Sequence, residues 1–140
     1  MSQTGGWGGR ITWTQMDERT TVAELRRCVA DFVAARDWEQ FHSPKNLSCA
    51  IAIEAAELME QFQWLTGAEA AAALEDGAKR AAVVDELADV LIYALSLANS
   101  LDVSASRAVL EKLARNEDRF PAESWRGRAR VPDGGEESAG

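Results

Sequence analysis

The sequence IAIEAAELMEQFQWL at residues 51–65 decides how this chain is interpreted, because it places two carboxylates in a run that is otherwise largely apolar. Glu54 and Glu57 are three residues apart, and residues at that spacing lie on the same face of a helix. A solvated helix face would surround its acids with basic side chains, but residues 47–65 contain no lysine or arginine. The stretch therefore predicts a helix that directs two carboxylates toward the protein core.

A second stretch, VVDELADVLIYALSLA at residues 83–98, has the same character, with Glu86 and Asp89 again three residues apart. An unpaired carboxylate in apolar surroundings is costly, whereas a divalent cation offsets the repulsion of several that converge. Oxygen ligands suit Mg²⁺ or Mn²⁺, and one histidine with two cysteines is too few for a typical zinc site. The two pairs predict a metal site, although two amphipathic helices with acidic borders remain the alternative from spacing and setting alone.

The composition is that of one soluble globular domain, with 140 residues, 46% hydrophobic and 27% charged. A net charge of −8 disfavours a nucleic acid partner, since phosphate contacts need a basic surface. Cys28 and Cys49 have no metal-binding spacing and are expected to be buried free thiols in a reducing compartment. No leader is recognised after Met1, and no apolar run is long enough to span a bilayer, so we expect a cytoplasmic protein without a membrane partner.

The chain divides into a helical domain at residues 20–121 and two flexible tails, at residues 1–19 and 122–140, which are glycine-rich and lack a sustained period. Apolar periodicity predicts an all-α fold with four main helices joined by short connections, which indicates an antiparallel bundle. The third helix is apolar on nearly every side, so we expect subunits to associate into a dimer or tetramer. The four helices are predicted at residues 21–36, 47–65, 78–100 and 104–119.

Local signals mark where these helices begin. Thr21 with Glu24 forms a capping box for the first helix, and Thr66 with Glu69 forms another for a short alanine-rich helix that follows the second. Asn46 is expected to cap the second helix, because we place Pro44 outside it.

The motifs together are similar to those of a known family. EAAE at residues 54–57, ELAD at 86–89 and KLARNEDRFP at 112–121 resemble the MazG-like all-α nucleoside triphosphate pyrophosphohydrolases. RDWEQFHSPKNL at 36–47, FQWL at 62–65 and DELADVLIYAL at 85–95 resemble the dCTP pyrophosphatase branch of that superfamily. The resemblance covers about residues 20–121, and the combination of motifs is specific although either acid pair alone would be weak.

The resemblance implies an activity and a metal. Members of the family hydrolyse the bond between the α and β phosphates of a nucleoside triphosphate with Mg²⁺, and they work as homodimers or homotetramers of helical subunits. Carried onto this chain, Glu54, Glu57, Glu86 and Asp89 would be the catalytic and metal-binding residues. One glutamate could instead be the base toward the attacking water, and the sequence does not say which. The expected enzyme is a dCTP diphosphatase that cleaves dCTP or modified dCTP to the monophosphate and pyrophosphate.

The resemblance also implies basic substrate-binding residues. On the fourth helix, Lys112 and Arg119 would pair with the triphosphate while Asn116 hydrogen-bonds the phosphates or the sugar. Without the resemblance, this row at i, i+4 and i+7 would be interpreted as a solvated face. Lys45 stands where members of the family carry arginine, so a point charge would replace a bidentate contact there.

Aromatic and neighbouring side chains form a second candidate set for substrate binding. Trp38, Phe41 and Trp64 flank the first carboxylate helix, where an aromatic face could stack on a pyrimidine, although such residues are commonly core. His42 is expected either to hydrogen-bond the base or sugar or to have a structural role at the helix entry. Tyr93 follows Asp89 by one turn, so its hydroxyl could reach the ligand or orient a carboxylate.

Three other functions compete with this hypothesis. A pyrophosphohydrolase with broader specificity for several nucleoside triphosphates or dUTP would use the same chemistry. A di-iron bundle would need Glu-x-x-His on two helices, which the only histidine, His42, does not provide. A helical interaction module without catalysis would not require all the acids and the basic row to be present.

Overall fold

The computed structural model of the chain describes residues 13–128, with the side chains of Trp13 and Thr14 left aside. This part of the chain is helical and contains no strand, as the predicted all-α class requires. The outer parts of the predicted tails, residues 1–12 and 129–140, lie outside the described residues. The helices are α1 Trp13–Arg19, α2 Val22–Ala34, α3 Pro44–Glu60, α4 Gly67–Ala73, α5 Gly77–Ser100, α6 Ala105–Arg119 and α7 Ala122–Trp125, with a 3₁₀ turn at Glu39–Phe41 between α2 and α3.

The chain consists of two compact units, Met1–Ala105 and Ser106–Gly140. In the first, α5 packs chiefly against α3 and also against α2. Arg26 of α2 fixes the second contact: its Nε donates to Asn99 Oδ1 at 2.8 Å, and Asn99 Nδ2 donates back to the Arg26 carbonyl at 3.0 Å. Such a reciprocal pair sets both the distance and the rotation between the two helices.

Both predicted capping boxes are present. Glu24 N–H donates to Thr21 Oγ1 at 3.2 Å, while the Thr21 N–H donates to the Glu24 carboxylate at 2.7 Å. Thr66 and Glu69 repeat the arrangement at the start of α4. Each box satisfies two backbone donors that have no partner within the helix, so these helix starts are determined by residues only three positions apart.

The prediction for α3 was wrong at both ends. The helix begins at Pro44, and Ser43 is its cap, accepting from the Asn46 N–H at 3.2 Å. Proline is well suited to the first turn, where its missing N–H would have no helical partner. The Asn46 side chain instead donates to the Phe41 carbonyl at 2.9 Å. At the other end the helix stops at Glu60, and residues 61–65 continue the apolar pattern as turns.

Two short helices lie in segments that were predicted as flexible tails. Helix α1 occupies residues 13–19, and α7 occupies residues 122–125 after Pro121. In the second unit the rings of Phe120 and Trp125 meet edge to face, with centroids 4.9 Å apart. This aromatic contact closes the turn at Pro121 and explains order in a segment whose composition alone is polar.

Little apolar surface is fully buried in the described part of one chain. Val33, Leu47 and Ala98 are its buried hydrophobic residues. Cys28 and Cys49 are free but exposed, so the prediction that they are buried was wrong, because the helix faces that carry them are not covered within the described chain. No described helix has the length and apolar character needed to cross a membrane. Apolar side chains 42–57% exposed lie on α3 and α5, namely Ile53, Val84, Leu87, Leu91 and Ile92.

Candidate metal and substrate site

Three of the four predicted acids meet between α3 and α5. Glu54 and Glu57 of α3 and Glu86 of α5 each offer one carboxylate oxygen, and these oxygens all lie within 4.8 Å of one another. The spacing of three residues places the α3 pair on one face, and the packing of α5 on α3 brings Glu86 to it. None of these carboxylates forms an ion pair with a lysine or arginine of residues 13–128.

The pKa values in the cluster indicate that its negative charges repel one another without a neutralising cation. The pKa of Glu54 is raised, first by its partial burial and then by the negative charges of the neighbouring acids, Asp89 included. The pKa of Glu86 is raised in the same way, by partial burial and then by Glu57 and Asp89. Asp89 is outside the group of three converging oxygens, yet its charge acts on the cluster. Crowded carboxylates with raised pKa values are what a bound cation would stabilise.

The donor set can be tested against the ion that the resemblance implies. Every converging donor is a carboxylate oxygen, and no cysteine or histidine belongs to the group. Hard divalent cations such as Mg²⁺ and Mn²⁺ prefer such ligands and retain water or phosphate oxygens in their remaining positions. The residues present therefore fit Mg²⁺ or Mn²⁺, with Glu54, Glu57 and Glu86 as ligands and Asp89 close by.

Tyr93 and His42 come together beside the next turn of α5. Their ring centroids are 6.5 Å apart at an interplanar angle of 46°, and both side chains are half-buried. Tyr93 follows Asp89 by four residues and so extends the acidic face of α5 by one turn. His42 belongs to the connection that leaves the 3₁₀ turn, so two separate segments meet here.

The aromatic candidates Trp38, Phe41 and Trp64 lie on the surface of the described chain. Trp38 packs edge to face on Phe32 of α2, with centroids 5.9 Å apart, and the Arg36 guanidinium lies 3.6 Å from the Phe32 ring centroid. Trp64 is 87% exposed, and Phe41 is 59% exposed. Among the described ring contacts, none joins Trp64 to Trp38.

The basic candidates are placed on helix surfaces. Lys45 is exposed in the first turn of α3, where its carbonyl accepts from Ser48 Oγ at 2.7 Å. The row of Lys112, Asn116 and Arg119 lies along α6 in the second unit, with Asn116 half-buried and the other two exposed. A ligand role for these four residues stays a prediction.

Sequence reasoning missed a cavity in the first unit. It has a volume of about 260 Å³ and is lined by α2, the 3₁₀ segment and the end of α5. Among its lining residues, only His42 had been singled out. Ser96 is 5% exposed, and its Oγ has no hydrogen-bond partner in the described chain. The sequence did contain a signal: Ser96 is a small polar residue within the apolar run ALSLA, seven positions after Asp89 and therefore on nearly the same helix face.

Comparison with known proteins places this arrangement in a family. The model of the MazG-like family matches residues 49–129, which include both acid pairs and the row on α6. A crystal structure of a pyrophosphatase from Archaeoglobus fulgidus is similar in fold, with a TM-score of 0.67 and 39% sequence identity. That alignment covers 71% of this chain and 91% of the archaeal chain.

Two mammalian relatives carry a more specific name. The chain is 45% identical over 109 residues to dCTP pyrophosphatase 1 of Rattus norvegicus and 44% identical over 110 residues to dCTP pyrophosphatase 1 of Homo sapiens. These alignments cover 78% and 79% of this chain, which spans 64% and 65% of the length of the two relatives. With a family model that matches more than half of the residues, the conclusion is that this chain belongs to the MazG-like family.

Proposed function

We propose that this protein is a Mg²⁺-dependent nucleoside triphosphate pyrophosphohydrolase that cleaves dCTP, or a modified dCTP, to the monophosphate and pyrophosphate. The observation that carries the proposal is the convergence of three carboxylate oxygens from α3 and α5 within 4.8 Å. The names of the mammalian relatives support dCTP as the substrate, and the name of the archaeal structure supports pyrophosphate chemistry.

The chain's own residues would perform three tasks in this reaction. Glu54, Glu57, Glu86 and Asp89 would hold the cation and fix the triphosphate against it. One of these carboxylates would also receive the proton that the attacking water loses, as dCTP and water become dCMP and pyrophosphate. Bound Mg²⁺ would supply positive charge to the phosphate oxygens, where negative charge develops in the transition state.

Substrate contacts would come from the remaining candidates. Lys112 and Arg119 would pair with phosphate oxygens, and Lys45 would add a third positive charge. Asn116 would hydrogen-bond the phosphates or the sugar. The exposed aromatic faces of Trp38 and Trp64 would cover the base, while His42 and Tyr93 would contact it from the acidic face of α5.

The exposed apolar surface supports a further part of the proposal, an antiparallel bundle of four main helices that associates into a homodimer or homotetramer. Ile53, Val84, Leu87, Leu91 and Ile92 lie on the same two helices as the acids and are 42–57% exposed in one chain. Large apolar side chains exposed in this number are typical of an interface in soluble proteins. Sedimentation equilibrium of the purified protein should give twice or four times the mass of 15.3 kDa.

The activity is tested by products. Purified protein with dCTP and Mg²⁺ should release pyrophosphate and dCMP in equal amounts, and removal of the metal with EDTA should stop the reaction. Release of orthophosphate with dCDP would contradict the proposed position of cleavage. Absence of any product, together with no Mg²⁺-dependent nucleotide binding by calorimetry, would favour a helical interaction module.

A second candidate function is a pyrophosphohydrolase that acts on several nucleoside triphosphates or dUTP. It is favoured by the exposure of Trp64, which leaves one side of the expected base site open in a single chain. Parallel assays with the four deoxynucleoside triphosphates and dUTP at equal concentration separate the two candidates. A preference for dCTP of less than about tenfold would favour the broader enzyme.

A further inference from the structure

The packing of α3 on α5 continues beyond the acid cluster to a second polar contact. In the cluster, Glu54 of α3 converges with Glu86 of α5. Seven residues after Glu54, Gln61 Oε1 accepts a hydrogen bond at 2.8 Å from Lys79 Nζ, and Lys79 lies seven residues before Glu86. The two helices therefore run antiparallel, and the second contact is two turns, or about 10 Å, from the acids along their shared face.

Lys79 is a half-buried cation whose described partners are neutral. Besides its bond to Gln61, the ammonium lies 5.9 Å from the Phe62 ring centroid, within the distance at which a cation is attracted to an aromatic face. No carboxylate of the described residues forms an ion pair with it. Lys79 therefore joins the first turn of α5 to the two residues that follow the end of α3.

Residues 61–65 form the turn that carries Trp64. Its backbone closes through a hydrogen bond from the Leu65 N–H to the Phe62 carbonyl at 2.9 Å. Gln61 and Phe62 are half-buried, whereas Trp64 is 87% exposed. None of the described ring contacts involves Trp64. The position of the indole is therefore set by the backbone of the turn, and Lys79 holds that backbone from its half-buried side.

We infer that Lys79 is a positioning residue for substrate binding, which fixes the 61–65 turn so that Trp64 has its bound position before the nucleotide arrives. The inference rests on the proposed function for the contact of Trp64 with the base. An aromatic side chain on a loose turn would have to be ordered when the substrate binds, and that cost would weaken binding. Because Lys79 lies two turns from the acids, it acts on substrate affinity and not on the chemical step.

A direct contact between Lys79 and the phosphates would be a different role, and a product separates the two. Pyrophosphate carries phosphate groups but no base, so its inhibition constant reports on phosphate contacts alone. If Lys79 acts through Trp64, replacing it should leave the inhibition constant of pyrophosphate unchanged. A lysine that contacted the phosphates would lose affinity for pyrophosphate and for dCTP together.

Hydrogen exchange of the ligand-free protein tests the anchor without substrate. Lys79→Met keeps most of the length of the side chain but removes its charge and its donors. The amides of residues 61–65 should then exchange at least about threefold faster than in the wild type, because the turn opens more readily. Arg80→Met is the matched control, since it removes the neighbouring charge at an exposed position and should exchange as the wild type does. Lys79→Arg keeps the charge and the donors and should restore most of the protection.

Steady-state kinetics with dCTP and Mg²⁺ test the consequence for the substrate. The KM of Lys79→Met should rise about threefold to tenfold, with kcat unchanged. In a Trp64→Ala background, Lys79→Met should raise the KM by less than about twofold, because the side chain that it positions is gone. A merely structural role of Lys79 would raise the KM equally in both backgrounds. Arg80→Met should again match the wild type.

A second variant keeps the inference testable if Lys79→Met folds poorly. Gln61→Met removes the acceptor but leaves the ammonium beside the Phe62 ring. Both the faster exchange of residues 61–65 and the rise in KM should be present in this variant and smaller than in Lys79→Met.

The outcomes distinguish the two proposals. Unchanged exchange of residues 61–65 in Lys79→Met would overturn the inference, as would an unchanged KM, a full rise in KM in the Trp64→Ala background, or an equal loss of affinity for pyrophosphate. Failure of the wild type to release pyrophosphate from dCTP would refute the catalytic proposal and the substrate role of Lys79 with it. Faster exchange in Lys79→Met would in that case still establish the anchor.

Discussion

The two halves of helix α5 place polar groups in opposite surroundings. The first half carries Glu86 and Asp89 among apolar side chains that are themselves partly exposed, such as Leu87. The second half carries Ser96 in the most buried part of the helix, beside Ala98. In the first half charges repel one another within reach of solvent, and in the second a neutral hydroxyl lacks a partner away from solvent.

The difference teaches what each half can contribute. Crowded carboxylates near solvent can be relieved by a proton or by a cation, so the first half responds to pH and metal. A neutral hydroxyl carries no charge that a proton or a cation could neutralise, so the second half of α5 contributes to packing against α2 and not to metal binding. Variants of the first half should therefore abolish turnover, and variants of the second should alter stability.

The largest effect is expected from Glu57→Gln. The substitution removes the charge of one of the three converging carboxylates. Changing a residue that only supports a metal ligand already lowers metal affinity or activity about 10–100-fold. Loss of a ligand itself should therefore lower pyrophosphate release from dCTP by at least about a hundredfold. Steady-state assays at saturating Mg²⁺ measure this. Glu60→Gln makes the same chemical change one turn away, outside the cluster, and should retain activity. Comparable losses in the two variants would mean that the cluster is not the metal site.

Mg²⁺ should stabilise the protein in a manner that depends on pH. Because the pKa values of Glu54 and Glu86 are raised above 4.5, the folded state holds these protons more tightly, and their contribution to stability is lost as pH rises through the folded-state values. At neutral pH, Mg²⁺ at a hundredfold excess over its Kd should raise the free energy of unfolding by about 2.7 kcal/mol. Thermal unfolding with and without Mg²⁺ should show this shift at about pH 7.5 and little of it near pH 4.5. A shift independent of pH would argue against these carboxylates as ligands.

Trp64→Ala should separate binding from folding. The side chain is 87% exposed, so the free energy of unfolding should change by no more than about 0.5 kcal/mol. Stacking on a base is worth about 1–3 kcal/mol, so the KM for dCTP should rise between about fivefold and a hundredfold. Trp38→Ala is the contrasting variant, since it also removes the packing on Phe32 and should lower stability. An unchanged KM in Trp64→Ala would remove this residue from the substrate site.

The smallest effect is expected from the hydrogen bonds that hold α2 against the buried half of α5. Asn99→Ala should lower the free energy of unfolding by about 1 kcal/mol, because the half-buried Arg26 loses one of its two acceptors and retains only the Ala98 carbonyl. Arg26→Ala should cost a similar amount, and the double variant should cost less than the sum. Denaturant unfolding measures all three. Strictly additive losses would mean that the pair does not couple the helices.

Features set by neighbouring residues could be predicted from the sequence. The capping boxes at Thr21 and Thr66 depend on one residue three positions away, and both are present. The start of α3 was misplaced because Asn46 is also a good cap, while the competing cap at Ser43 depends on proline being tolerated in the first turn. Its end was misplaced because apolar residues continue past Glu60 after the backbone has left the helix.

Features set by packing could be predicted only in part. The spacing of Glu54 with Glu57 and of Glu86 with Asp89 predicted one acidic face on each of two helices, but which acid of α5 converges with the α3 pair depends on how α5 rotates against α3. The cavity at Ser96 requires three separate segments to meet, which no local pattern specifies. Burial of the cysteines was predicted from residue type, whereas it depends on which helix faces are covered.

Glu86, Asp89, Tyr93 and Ser96 lie on one face of α5, so the number of residues between them determines both their distances and the directions of their side chains. Inserting one residue between Asp89 and Ser96 would rotate the hydroxyl by about 100° and move it about 1.5 Å, away from the acidic face. Inserting four residues would return the Ser96 side chain nearly to the same helix face but would increase its distance from Asp89 along the helix axis by about 6 Å. Length changes should therefore be tolerated in the segments that flank the helices and rejected within this part of α5, even where every inserted residue is a good helix former.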